Sequence, residues 1–194
     1  MYDFELLTAT SLQEAVTALQ DEETQALAGG QTLIPTMKQR LASPERLVSL
    51  TKIKALQGVT ATAQEVVIGA AARHADVAVE AAAFFPALAD LAGHIGDPAV
   101  RNRGTIGGSL ANNDPAACYP AAVLACRGVI ETNLRRIAAE DYFDGMFGTA
   151  LDDGELITAV RFPIPEIAHY EKFVQPASRF ALVGVFVARF DGVV

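Results

Sequence analysis

The sequence predicts an α+β protein built from two unlike parts in tandem, and three observations point there. Between Asp3 and Leu50, short apolar stretches alternate with helical patterns in the order β-α-β-α-β, the arrangement of a small parallel sheet. After Lys52–Gly58 the pattern changes to paired short strands mixed with alanine-rich helices, as in an antiparallel sheet with helices beside it. Each part also holds one glycine-rich stretch, Ala28–Thr32 in the first and Thr105–Ser109 in the second.

The first part reads as strand Asp3–Leu7, then Ser11-Leu-Gln-Glu14 as a capping box opening a helix whose apolar face is Leu12, Ala15, Val16 and Leu19. Thr24–Ala28 is a second strand and Thr32–Leu41 a second helix, with Pro35 tolerable only near its first turn. Arg46–Leu50 closes the unit as a strand. In the second part Val59–Ala63 and Glu65–Ala71 alternate like a hairpin around Thr62–Gln64, and two helices follow at Asp76–Ala83 and Pro86–His94. Gly104–Asp114 is rich in glycine and asparagine, and Pro115–Ala125 has helical character. Val129–Thr132 and Leu134–Ala138 pair around Asn133, and Asp152-Asp153-Gly154 turns into the strand Glu155–Phe162. At the end, Phe180–Phe190 is an apolar strand followed by Asp191-Gly192, a two-residue hairpin turn whose returning strand stops at Val194. An unpaired apolar edge is a hazard native domains avoid, so residues 175–194 are expected to begin a further domain.

Composition narrows the function. The chain has 194 residues, is 51% hydrophobic and carries a formal net charge of −8. Such a balance excludes the basic footprint of a nucleic-acid binder, and no lysine- or arginine-rich run is present to bind an anionic membrane. Met1–Thr10 lacks the basic start and apolar run of a signal peptide, and apolar stretches end well short of a membrane span, which points to the cytoplasm. Cys118 and Cys126 form no metal or iron–sulfur set. On one helix, eight residues apart, they lie roughly 12 Å from each other, too far to bridge, and read as core thiols. His74, His94 and His169 have no ligand spacing and read as surface or capping residues. The carboxylates of Asp152-Asp153 and Glu22-Glu23 read as solvated turn charges.

The glycine stretches carry the chemistry. Ala28-Gly29-Gly30-Gln31-Thr32 lies where a strand ends and a helix begins, so the backbone can turn sharply and offer amides, with the Thr32 hydroxyl, to a phosphate. Thr105-Ile106-Gly107-Gly108-Ser109 has the same character, and two such loops can grip a pyrophosphate from both sides. Neither matches G-x-G-x-x-G, and no G-x-x-x-x-G-K-[ST] exists, which disfavours a Rossmann site and a P-loop. Either loop alone is equally well a tight connection needing positive φ. Arg101 and Arg103, just upstream of the second loop, fit either phosphate neutralisation or a structural role.

Taken with their neighbours, these residues resemble a known family. Ala28-Gly-Gly-Gln-Thr32, the long run Gly96-Asp-Pro-Ala-Val-Arg-Asn-Arg-Gly-Thr-Ile-Gly-Gly-Ser-Leu-Ala111 and Asp114-Pro-Ala-Ala117 are similar to the FAD-binding (medium) subunits of molybdenum hydroxylases, the group of carbon monoxide dehydrogenase and xanthine dehydrogenase. The likeness runs from Tyr2 to the end, through Glu155–Pro163 and Tyr170-Glu-Lys172. It implies a two-subdomain FAD-binding fold of the vanillyl-alcohol-oxidase (PCMH-like) type: residues 1–55, residues 56–174, and residues 175–194 as the first strand of a C-terminal domain. It implies that Ala28, Gly29, Gly30, Gln31, Thr32 and Leu33, with Thr105, Ile106, Gly107, Gly108 and Ser109, bind the pyrophosphate and ribityl region. Ile95 is then expected on the isoalloxazine ring, Leu156 near the adenine end or ring edge, and Lys172 as a polar contact. Where the family run continues to a cofactor-contacting aspartate, this sequence has Cys118, a weaker acceptor unless ionised.

The resemblance also implies a function: electrons pass from 2Fe-2S clusters on a small iron–sulfur subunit, fed by a molybdenum cofactor on a large subunit, through FAD to an external acceptor. The partners form a heterotrimeric unit, with dimerisation left open. No catalytic residue and no metal is expected on this chain. Two other classes stay open: a standalone flavin oxidase, which needs a substrate pocket within the chain, and a non-enzymatic nucleotide-binding or interaction module, which stays colourless.

Overall fold

A computed structural model describes residues 1–194. The first part forms β1 (Glu5–Thr8), α1 (Leu12–Ala18), β2 (Thr24–Leu27), α2 (Leu33–Lys38) and β3 (Arg46–Ser49). Its three strands pair in parallel in the order β1-β3-β2, as the alternation of patterns predicts. The central strand β3 buries Leu47 and Val48 completely. The cap of α1 differs from the box in one bond. The Glu14 amide donates to Ser11 Oγ, but the Glu14 carboxylate reaches back one residue further and accepts from the amide and hydroxyl of Thr10.

A 3₁₀ turn at Lys54–Leu56 leads to the second part: β4 (Val59–Ala61), β5 (Glu65–Gly69), α3 (His74–Glu80), α4 (Pro86–Gly93), α5 (Pro98–Arg101), α6 (Ile106–Asn112) and α7 (Tyr119–Ala125). It continues through β6 (Val129–Thr132), β7 (Arg136–Ala138), α8 (Ala139–Tyr142), β8 (Ile157–Pro163), β9 (Ile167–Val174) and β10 (Ala181–Arg189). Strands β4-β5-β8-β6-β7 make one antiparallel sheet of five, and β10-β9 a separate antiparallel pair. Arg161 on β8 binds Glu65 of β5 at 2.6 Å and Glu131 of β6 at 2.8 Å, tying the three central strands on one face.

Two apolar clusters hold the molecule. The larger contains 28 buried residues from the five-stranded sheet, the helices and the β9–β10 hairpin, including Tyr170, Phe186 and Ala188. Edge-to-face contacts of Phe85 with Phe162 and Phe186 lock the hairpin to this core. The smaller cluster lies under the parallel sheet and takes in Leu56 of the 3₁₀ turn and Leu156, which immediately precedes β8. Cys118 and Cys126 cap the two ends of α7 as free, buried thiols of the larger core, as their spacing predicts.

Several elements depart from the sequence reading. The glycine-rich stretch forms helix α6, because Thr105 caps its start and Asn113, at φ 42°, ends it in the left-handed conformation. Helix α7 begins at Tyr119, later than expected, because Asp114 first folds back to accept the Ala116 amide. One edge of the last strand is paired: β10 runs beside β9, which the sequence reading left without an element, while its other edge has no strand partner and Leu182, Val183, Val185 and Val187 are exposed, as the apolar pattern predicts. The Asp191-Gly192 turn forms as expected, with both residues at positive φ and Phe190 and Val193 exchanging backbone hydrogen bonds. No helix is long and apolar enough to cross a membrane.

Candidate functional site

A cleft of about 550 Å³ opens where the carboxyl ends of β2 and β3 meet α6 and the start of β8. Its size is that of a small-molecule site, roughly 300–1,000 Å³. Strand ends of a parallel sheet are the usual place for such a crevice. The residues the resemblance assigns to the cofactor line it, except Ile106: Ala28, Gly29, Gly30, Gln31, Thr32 and Leu33, then Ile95, Thr105, Gly107, Gly108, Ser109, Cys118, Leu156 and Lys172; Arg101 and Arg103 are not among the lining residues. The Ile106 side chain is fully buried in the larger core and anchors the loop from behind.

The two glycine loops touch, and their glycines serve different ends. A Cβ on Gly29 would overlap the carbonyl of Arg103, so this glycine brings the loops together. Gly30 stands at φ 70°, which turns the chain from β2 towards α2. A Cβ on Gly107 would lie 2.7 Å from the Ala70 side chain, so that glycine seats α6 on β5. Gly108 is different: it is exposed, and its Cβ would stand in the gap between the loops, 3.0 Å from Thr105 Oγ1 and 3.8 Å from Ala28 Cβ.

The amides are also unequal. Those of Gly29, Gly30, Gln31 and Thr32 donate to no protein acceptor, and the Thr32 hydroxyl makes no capping bond. In the second loop the Ile106 and Gly107 amides go to Ala72 and Ala70, while those of Gly108 and Ser109 go to Thr105. The first loop therefore supplies free donors, and the second supplies the open space at Gly108 and the Ser109 hydroxyl. Exposed amides facing a gap without side chains suit an anionic phosphate group.

The wall beyond the loops is set by cations holding main chain. Lys172 Nζ donates to the His94 carbonyl at 2.9 Å, and the Arg101 guanidinium donates to the carbonyls of Ile95 and Gly96, both at 3.0 Å. At the other end, Asn133 brackets Leu156: its amide donates to the Leu156 carbonyl and its Oδ1 accepts the Leu156 amide at 2.7 Å. Glu155 just before it is buried and accepts from Arg135, the Asp152 amide and the Thr132 hydroxyl. The Arg135 guanidinium, then the Asp152 amide and Thr132, hold its carboxyl down at about 2 against the cost of burial.

His74 corrects the sequence reading. It is not a surface residue but buried at the start of α3, lining the cleft with an unpartnered Nδ1, its ring 5.4 Å from that of Tyr119. Burial first, then the charge of Arg101, lowers its pKa to about 4. Its Nε2 would lie only 2.6 Å from a Cβ on Gly104, so glycine is required there too. His94 and His169 are exposed, as read from the sequence. Of the solvated turn charges, Asp152 is exposed but pairs with Arg135 at 3.1 Å. Gly96, Asn112 and the loop residues Ser178, Arg179 and Phe180 also line the cleft without having been singled out. For Ser178–Phe180 the available signal was Gln175-Pro176 before the last strand: the Gln175 side chain accepts the amides of Ala177 and Ser178 and shapes that loop.

The fold and cleft define a class, an α+β protein that cradles a phosphate-bearing cofactor between two parts of one chain. The comparisons name the family. Residues 2–165 match the family described as the FAD binding domain in molybdopterin dehydrogenase, and the chain belongs to it. FAD is therefore the cofactor of this chain. The chain is 39% identical over 189 residues to the carbon monoxide dehydrogenase medium chain of Afipia carboxidovorans, covering 91% of this chain and 65% of that one. It is 35% identical to the glyceraldehyde dehydrogenase medium chain of Sulfolobus acidocaldarius, over 96% of this chain and 69% of the relative. The structure of a cyanide-inactivated Cu,Mo-CO dehydrogenase superposes with a TM-score of 0.89 at 36% identity, over 94% of this chain and 68% of the other. The chain thus spans about two thirds of the length of the curated relatives it matches.

Proposed function

We propose that this chain is the flavin-carrying, electron-transferring part of a molybdenum-containing hydroxylase or dehydrogenase. One observation carries the reading: in a chain of this family, the cradle between Gly29–Thr32 and Gly108 lies in the same cleft as the apolar residue Ile95 and the wall residue Leu156. When bound, FAD supplies the redox chemistry, taking up electrons from a partner and releasing them to an external acceptor. In this reading the partners are a small subunit with 2Fe-2S clusters and a large subunit with the molybdenum cofactor, in a cytoplasmic heterotrimeric unit. The names of the relatives, medium chains of carbon monoxide and glyceraldehyde dehydrogenases, support a multi-subunit assembly and differ in substrate.

The chain's own residues bind and orient. The free amides of Gly29–Thr32 and the hydroxyls of Thr32 and Ser109 hold the pyrophosphate, and Gly108 leaves it room. Ile95 packs on the isoalloxazine ring, and Leu156 closes the adenine end or ring edge. Lys172 acts by holding the His94 carbonyl, so its role is the placement of that wall. No residue is assigned as a general base. The fold is of the vanillyl-alcohol-oxidase type, with the cofactor extended between subdomains 1–55 and 56–174, and residues 175–194 opening a C-terminal unit.

Ligand-dependent unfolding tests this. FAD at a hundredfold excess over its Kd stabilises the chain by about 2.7 kcal/mol, whereas riboflavin, which lacks the pyrophosphate, gives a far smaller shift. Equal shifts with riboflavin and FAD, or none with either, contradict the reading.

A further inference from the structure

Three consecutive carbonyls, those of His94, Ile95 and Gly96, follow α4, where a helix leaves its last acceptors without partners. Water or backbone usually takes such groups. Here side-chain cations take all three: Lys172 from β9 holds the first, and Arg101 from α5 holds the second and third through one nitrogen. Neither cation is paired with a carboxylate, in a chain whose net charge is −8.

The geometry around them is tightly specified. Gly96 stands at φ 52°, and a Cβ there would meet Val100 at 2.9 Å. The Asp97 side chain caps α5 by accepting the Val100 amide at 2.8 Å. The Gly104 amide then donates to the Val100 carbonyl at 2.7 Å, which joins α5 to the backbone that Gly29 touches. Helix α5 therefore links the Ile95 wall to the glycine loops, with Arg101 as its contact to the wall. With its carbonyl held by Arg101, Gly96 keeps an amide that donates to no protein acceptor, and Gly96 lines the cleft.

We propose that Arg101 is a positioning residue for the ring end of the cofactor: by holding the Ile95 and Gly96 carbonyls it fixes the Ile95 side chain and the free Gly96 amide at the cleft. This rests on the reading of the cleft as an FAD site. A second consequence follows from charge. Reduction leaves a flavin with negative charge on its ring, and the unpaired charges of Arg101 and Lys172 behind the wall favour that form over the neutral oxidised one. Arg101 thus acts on the ring end and not on the pyrophosphate end.

The test compares Arg101→Gln and Arg101→Lys with the unaltered full chain, using ADP and FAD as probes and a redox titration of the bound flavin. For Arg101→Gln the expected result is ADP affinity within about twofold of the unaltered chain, with an altered flavin absorption band. Its preference for reduced over oxidised FAD falls about tenfold, or ~30 mV for a two-electron couple. Arg101→Lys keeps the charge and a donor and restores the potential. Loss of ADP and FAD affinity by the same factor, or an unchanged potential and spectrum in Arg101→Gln, overturns the proposal. An unaltered chain that binds neither ADP nor FAD overturns the underlying reading, and the proposal falls with it. ADP binding without FAD binding in the unaltered chain likewise overturns the FAD reading, and the proposal falls with it.

Discussion

Gly29 meets Arg103 backbone to backbone, with no room for even a methyl group between the two glycine loops. The contact makes a cradle of two loops that lie far apart in the sequence. It also separates two kinds of glycine, those that let chains approach each other and those that leave space for a ligand.

Alanine substitutions should divide along that line. Gly29→Ala forces the loops apart and is expected to cost about 1–3 kcal/mol, with loss of FAD binding. Gly108→Ala adds its methyl group to the gap, on an exposed helical position where alanine is favoured by up to about 1 kcal/mol. Its unfolding temperature should hold or rise while FAD affinity drops at least tenfold. Thermal unfolding with and without FAD checks both, and equal effects of the two substitutions would sink the distinction.

His74 should make stability pH-dependent. Its pKa is about 4 in the folded chain and 6.5 as a free side chain, so between those values the unfolded chain binds the extra proton. Stability is then full above pH 6.5 and falls as the pH drops towards 4, by on the order of 3 kcal/mol. His74→Gln, which cannot titrate, should flatten that part of the profile in denaturant unfolding. A slope that survives the substitution would assign it to other groups.

Glu155 governs a lower range. Its carboxyl is held at about 2 by Arg135, the Asp152 amide and Thr132, against 4.5 when free. A depressed carboxylate contributes stability above 4.5 and loses it as the pH falls towards 2. Glu155→Gln removes the charge that Arg135 and the Asp152 amide share and is expected to cost about 1–3 kcal/mol at neutral pH. It should also shorten the acid limb of the unfolding curve. Because Leu156 is held separately by Asn133, FAD affinity should change less than stability does.

The sequence made the architecture legible where local chemistry and pattern agree. The β-α-β-α-β unit follows from periodicity with the Ser11 cap, and the Asp191-Gly192 turn from its residue types. Helix α6 was hidden because glycines and asparagines lower helical propensity, and only tertiary seating on Ala70 and the Thr105 cap overcome that. Strand β9 was hidden because the large apolar residues Ile167 and Phe173 stand on the same exposed face as His169 and Glu171, which breaks the alternation that buries Tyr170. The loops were legible as motifs, but which glycine packs and which one faces the cleft depends on contacts between residues far apart in the chain, Gly29 with Arg103 and Gly107 with Ala70. The burial of His74 is likewise a long-range fact without a local signal, whereas Arg101 reaches back only five and six residues, to Gly96 and Ile95, in a turn that no residue pattern marks.

The most direct test of the central claim is the absorption spectrum of the purified chain after incubation with FAD and gel filtration. The account predicts that flavin bands elute with the protein at close to one FAD per chain and that Gly29→Ala elutes without them. A colourless unaltered chain, recovered folded from saturating FAD, would contradict it.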